Sequence, residues 1–119
     1  MDKGILSYVS ISFNGSENII KLIVSKMEIS PNFSIKNTGN HLGLTYSGEL
    51  IEFSEKLNYV VGFIQENFAY LNEIDHTDFI SRVYCSILLN GISQFGFDLD
   101  PGLLNVLSQS QMSFSIDFW

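Results

Sequence analysis

The chain has 119 residues, 45% of them hydrophobic and 16% charged, with a net charge of −7. That length and balance describe one domain of ordinary size over residues 1–119 with a core of its own, and exclude a disordered chain. A lone cysteine, Cys85, excludes an intramolecular disulfide framework, and no apolar run nears the roughly 20 residues of a membrane span.

Met1-Asp2-Lys3-Gly4 leads straight into an alternating pattern, so no secretory leader is expected and the expected location is cytoplasmic. From Ile5 to Phe13 the residues Ile5, Val9, Ile11 and Phe13 share one face, and Tyr8, Ser10 and Ser12 the other, which predicts a strand. Asn14-Gly15 turns it, and Ser16 caps a helix carrying Ile19, Ile20, Ile23, Val24 and Met27. Ser30-Pro31 ends that helix, because proline pushes its predecessor to extended geometry. Phe33 and Ile35 mark a short strand, Asn37-Thr38-Gly39-Asn40 a turn, and Leu42, Leu44 and Tyr46 the second arm of a hairpin.

Ser54 opens the longest helix, with Leu57, Val60, Val61, Ile64, Phe68 and Leu71 on one face. Glu55, Asn58, Gln65 and Glu66 look outward. Gly62 inside this helix costs about 1 kcal/mol relative to alanine, which predicts a close packing contact there. A polar link from Asn72 to Thr77 precedes the strand Asp78 to Leu89, with Phe79, Val83, Cys85, Ile87 and Leu89 on one face and Arg82, Tyr84 and Ser86 on the other.

The ending is the most distinctive stretch. Gly91 to Gly96 reads as a loop, after which Asp100 is a good N-cap and Pro101 suits the first helical position. Leu103, Leu104, Val106 and Leu107 form an apolar stripe at helical spacing. After Gln111 the period becomes two: Met112, Phe114, Ile116 and Phe118 point one way, and Ser113, Ser115, Asp117 and Trp119 the other.

The order β-α-β-β-α-β-α-β predicts an α+β fold: a ferredoxin-like split β-α-β with an appended αβ unit. Helices with one apolar stripe each would cover one face of a mostly antiparallel sheet. The bare face would carry Tyr8, Ser10, Ser12, Arg82, Tyr84, Ser86, Ser113, Ser115 and Asp117.

Charge is unevenly placed. Residues 1–57 carry a net charge of −1, whereas residues 58–119 hold Arg82 alone against seven acids. Such a field repels nucleic acid, whose binding rests on Lys and Arg neutralising phosphates. It attracts a basic partner and speeds encounter with it, and it also serves solubility.

No residue set announces catalysis. His41 and His76 fall in turns, where exposed polar residues are ordinary. Glu73-Ile74-Asp75-His76-Thr77-Asp78 lacks calcium-loop spacing and offers one imidazole to zinc. Cys85 lies mid-strand on the apolar face, a core position with no adjacent base. No Gly-x-Ser-x-Gly elbow or phosphate-cradling glycine loop occurs. The expectation is a protein that is not an enzyme, with no catalytic residues, no cofactor and no metal site. Phe95 and Phe97, set between glycines and followed by Asp98 and Asp100, are either core residues or interface anchors.

The opening strand Tyr8-Val9-Ser10-Ile11-Ser12-Phe13, the mid-chain helix and above all Gly96-Phe97-Asp98-Leu99-Asp100-Pro101-Gly102-Leu103-Leu104 resemble a family of short bacterial proteins described as a domain of unknown function. Small acidic proteins of this kind are similar to the immunity proteins of toxin–immunity and contact-dependent growth inhibition systems. The resemblance implies neutralisation of a cognate toxin domain, a basic nuclease, by stoichiometric occlusion. On residue chemistry, Glu73, Asp75, Asp78, Phe97, Asp98 and Asp100 are the candidate partner-binding residues. The partner expected is a protein, with neither nucleic acid nor membrane. The alternative is a small-ligand or regulatory module that uses the bare sheet face around Tyr8, Arg82 and Tyr84.

Overall fold

Strict alternation in the first segment, with valine, isoleucine and phenylalanine inward, gives β1 (Leu6–Gly15). A computed structural model of the chain describes residues 6–75, 77–89 and 99–119. After β1 come α1 (Glu17–Lys26), β2 (Phe33–Asn37), β3 (His41–Tyr46), α2 (Phe53–Leu71), β4 (Phe79–Leu88), α3 (Pro101–Gln109) and β5 (Ser113–Phe118). His76, the loop from residue 90 to Asp98 and the side chain of Phe68 lie outside the described residues.

The sheet runs β2-β3-β1-β4-β5. The first four strands pair antiparallel, with β1 flanked by β3 and β4, which is the split β-α-β arrangement. β4 and β5 pair in parallel, Arg82 opposite Ser113 and Ile87 opposite Phe118. A parallel neighbour needs a crossover, and α3 supplies it. The fold is therefore mixed α+β with a mostly antiparallel sheet, as the element order predicts.

The register places Val9, Ile11 and Phe13 beside Leu42 and Leu44 on one side and Val83, Cys85 and Ile87 on the other, all buried. Ile20 and Ile23 of α1 and Leu57, Val60 and Ile64 of α2 cover that layer. Each such side chain contributes roughly 1.5–3 kcal/mol when fully buried. The same register puts Tyr8, Ser10 and Ser12 on the opposite face with Arg82, Tyr84, Ser86, Ser113, Ser115 and Asp117. That face carries no helix among the described residues.

Local chemistry sets the boundaries. Ser16 Oγ accepts from the Ile19 N–H at 3.3 Å, and Asp100 Oδ2 accepts from the Gly102 N–H at 3.2 Å, so both helices start at their predicted caps. α3 ends in a Schellman turn, with Met112 N–H to Leu107 carbonyl at 3.1 Å and Gln111 at a left-handed φ of 55°. Leu107 and Met112 are both buried, the apolar contact that accompanies such turns. At the other end of the sheet, β1 runs past its last ladder partner on β3. There Lys56 Nζ donates to the Ser7 carbonyl at 2.6 Å, satisfying an acceptor that β3 leaves open.

Three details differ from the sequence reading. His41 is the first residue of β3 rather than part of the turn, and its Nδ1 meets Asn14 Oδ1 at 2.9 Å across the strand pair. Phe63 joins the buried face of α2, because its ring packs on Phe33 of β2, on the flank of the helix away from α3. Of the stripe on α3, Leu103 and Leu107 are buried while Leu104 is 45% exposed. That helix rests against α2 and so buries a narrower stripe.

Candidate docking groove on the helical face

Of the partner-binding candidates among the described residues, Glu73, Asp75 and Asp78 stand apart from Asp100. Asp75, Asp78 and Glu73 precede β4, whose ten residues at about 3.3 Å each carry the chain some 30 Å away before the approach to Asp100. Phe97 and Asp98 lie outside the described residues. Glu73 holds Lys26 in a 2.9 Å salt bridge. Asp75 Oδ1 accepts from the Thr77 N–H at 2.9 Å and the Thr77 hydroxyl at 2.8 Å, closing a local turn. Asp78 is exposed, and its N–H donates to the Asp75 carbonyl at 3.0 Å. Asp100 borders a concavity.

That concavity lies on the helices. A furrow of about 440 Å³ runs between α2 and α3, with Asn58, Gly62 and Gln65 on one wall and Asp100, Asn105 and Gln109 on the other. A second, of about 280 Å³, lies on the opposite flank of α2 between Glu28, Ser30, Tyr59 and Glu66. A third, of about 150 Å³, continues it past Asn67 to Tyr70. The first two share Asn58 and Gly62, and the last two share Glu28 and Glu66, so they join into one groove crossing α2.

Gly62 is where the crossing occurs. Residues four apart on a helix form a ridge, and here the ridge is Asn58, Gly62, Glu66. Without a side chain at its centre the ridge has a notch. The close packing contact expected at Gly62 is absent among the described residues, where a Cβ built there meets nothing within 4 Å. The contrast with Gly48 is instructive, since a Cβ there would collide with the Tyr46 hydroxyl. Gly62→Ala should therefore raise the unfolding free energy by about 1 kcal/mol, read from denaturant midpoints at unchanged slope.

The groove has a firm floor on the side of Glu28. Phe33 and Phe63 meet at 4.8 Å between ring centroids, Tyr46 and Tyr59 at 5.0 Å, and Phe33 and Tyr59 at 5.9 Å. The Tyr59 hydroxyl and Ser30 Oγ share a hydrogen bond at 2.7 Å, and Asn32 Nδ2 donates to Tyr59 at 3.1 Å. Asn67, buried, donates through Nδ2 to the Phe63 carbonyl at 2.9 Å and accepts the Glu28 N–H at 3.3 Å. These bonds hold the segment after α1 against α2 and fix where Glu28 stands. Among the described residues neither Glu28 nor Glu66 has an ion-pair partner, and no lysine or arginine lines the groove.

The bare sheet face is differently built. The Tyr84 hydroxyl donates to Asp117 Oδ2 at 2.6 Å, and the Trp119 indole donates to Ser86 Oγ at 2.9 Å. The bond to Asp117, then desolvation and the carboxylate's charge, raise the Tyr84 pKa above 10.0. Tyr8 is 49% and Trp119 72% exposed, so these two aromatics stand out on the surface. Arg82, the third residue singled out there, is exposed.

Sequence reading placed Asp100 and the outward residues Asn58, Gln65 and Glu66 correctly but did not connect them. The available signal was Gly62 itself, four residues from both Asn58 and Glu66 on the polar side of its helix. No three residues among His, Cys, Asp and Glu gather into a metal site among the described residues. No helix among them is long and apolar enough to cross a membrane. Fold and groove together define a class: a split β-α-β domain extended by one parallel strand, helices on one face and bare sheet on the other. Compared with protein-family models, curated proteins and solved structures, the chain matches none.

Proposed function

We propose that this chain binds a basic protein partner and occludes it stoichiometrically, as an immunity protein does its toxin, the partner class being a nuclease-type toxin domain. The observation that carries this reading is the imbalance of available surface charge. Two of the four lysines among the described residues are engaged, Lys26 by Glu73 and Lys56 by the Ser7 carbonyl. Glu28, Glu66, Asp78 and Asp100 stand exposed without a salt bridge among the described residues. A negative field of this kind draws in a Lys- and Arg-rich surface and would cover the groups such a toxin uses on phosphates. The small size and acidic balance of the chain, which resemble those of immunity proteins, point the same way.

Purifying the tagged chain from its native cells should recover one basic protein in near-equal amount. The association rate of the isolated pair should then fall about tenfold or more between low and physiological salt. A chain that elutes alone, or a rate indifferent to salt, overturns the reading.

A further inference from the structure

We infer that the groove across α2 seats an extended basic segment of that partner, its backbone passing over the notch at Gly62 and its Lys or Arg side chains reaching Glu28, Glu66 and Asp100. This rests on the basic-partner reading above and names the surface that reading leaves open.

The notch is the first support. A glycine in a helix interior is unfavourable, and nothing inside the described fold approaches Gly62 closely enough to require it. Departures from local preference gather where a surface has work to do. An absent side chain lets another backbone come within contact of the helix.

Polarity is the second. Small-molecule sites are concave and mostly apolar. This groove is open, joins three depressions end to end, and carries carboxylates with no cation in its lining among the described residues. The carboxamides of Asn58, Gln65, Asn105 and Gln109 face its larger furrow, and none has a hydrogen-bond partner among the described residues. A carboxamide both donates and accepts, which matches the alternating N–H and C=O of peptide groups. A partner helix has those groups already satisfied within itself, whereas an extended segment offers them freely. The sign of the field excludes a nucleic-acid backbone as the occupant.

The experiment is amide-resonance mapping of the intact chain with a synthetic peptide alternating glycine and arginine as probe, at low salt. The expected result is perturbation of the Gly62 backbone amide and of the Asn58, Gln65, Asn105 and Gln109 side-chain amides. Gly62→Leu, whose first added carbon enters open space, should keep the wild-type fold by circular dichroism and weaken the probe about tenfold or more. Glu66→Lys, at an exposed position, should weaken it similarly and flatten its salt dependence. Absence of binding overturns the groove, and so does perturbation centred on the Glu73–Asp78 link or wild-type affinity in both variants. In each of those cases the salt-dependent complex with the native partner still stands or falls by its own test.

Discussion

Phe63→Ala should lower the unfolding free energy by about 3–5 kcal/mol, a large share of the roughly 5–15 kcal/mol that holds a domain of this size together. The ring is buried and centred 4.8 Å from Phe33 in a cluster that also takes in Tyr46 and Tyr59. Its loss leaves a cavity under both β2 and the segment that carries Glu28. The Phe63 carbonyl still accepts from Asn67, so the backbone has no compensating route to collapse. Phe63→Leu, which keeps most of the volume, should cost under about 1.5 kcal/mol. Equal losses in the two variants, measured by urea unfolding, would show that the cluster does not pack as described. Because the cluster floors the groove, Phe63→Ala should also weaken the arginine–glycine probe more than its effect on fold accounts for at temperatures where it remains native.

Cys85 should be almost inert in the native protein. Burial pushes its thiol from 9.0 up to about 12, so at pH 8 its thiolate fraction is about a thousandfold below that of the unfolded chain. Alkylation by a small haloacetamide at pH 8 should be slower than in denaturant by at least that factor, since the side chain is also fully buried between β1 and β5. A native rate within tenfold of the denatured one would mean that β5 opens readily from β4. The same shift bears on alkaline stability. Above 9.0 the unfolded chain loses this proton while the native chain keeps it, so stability falls with pH between 9.0 and about 12. Tyr84, held protonated chiefly by its bond to Asp117, adds to the fall in the same direction above 10.0. Cys85→Ala should remove the thiol's share of the alkaline slope and leave the tyrosine's.

Much of the architecture is legible in residue order because its rules are short-range. Alternation places Val9, Ile11 and Phe13 on one face of β1, as Val83, Cys85 and Ile87 on β4, and the pleat preserves that choice in the sheet. Ser16 and Asp100 mark helix starts because the capping oxygen lies within three residues of the N–H it serves. The surface is harder to read. Glu73 and Asp75 look like free acids in the chain, yet one is spent on Lys26, 47 residues away, and the other on its own turn. Glu28, never singled out by its neighbours, reaches the groove because the buried Asn67 carboxamide accepts its N–H from across 39 residues.

By itself the chain of residues determined the strands, the helices, their order, the buried faces of β1 and β4 and the acidic sign of the whole, since period, caps and composition act within a few residues. Only the tertiary structure decided that Gly62 meets no neighbour among the described residues, that Glu73 is spent on Lys26, and that Glu28, Glu66 and Asp100 border one groove. Those relations depend on how α2 sits between the segment after α1 and the start of α3. That placement is set by long-range packing on a shared sheet, which no local pattern encodes.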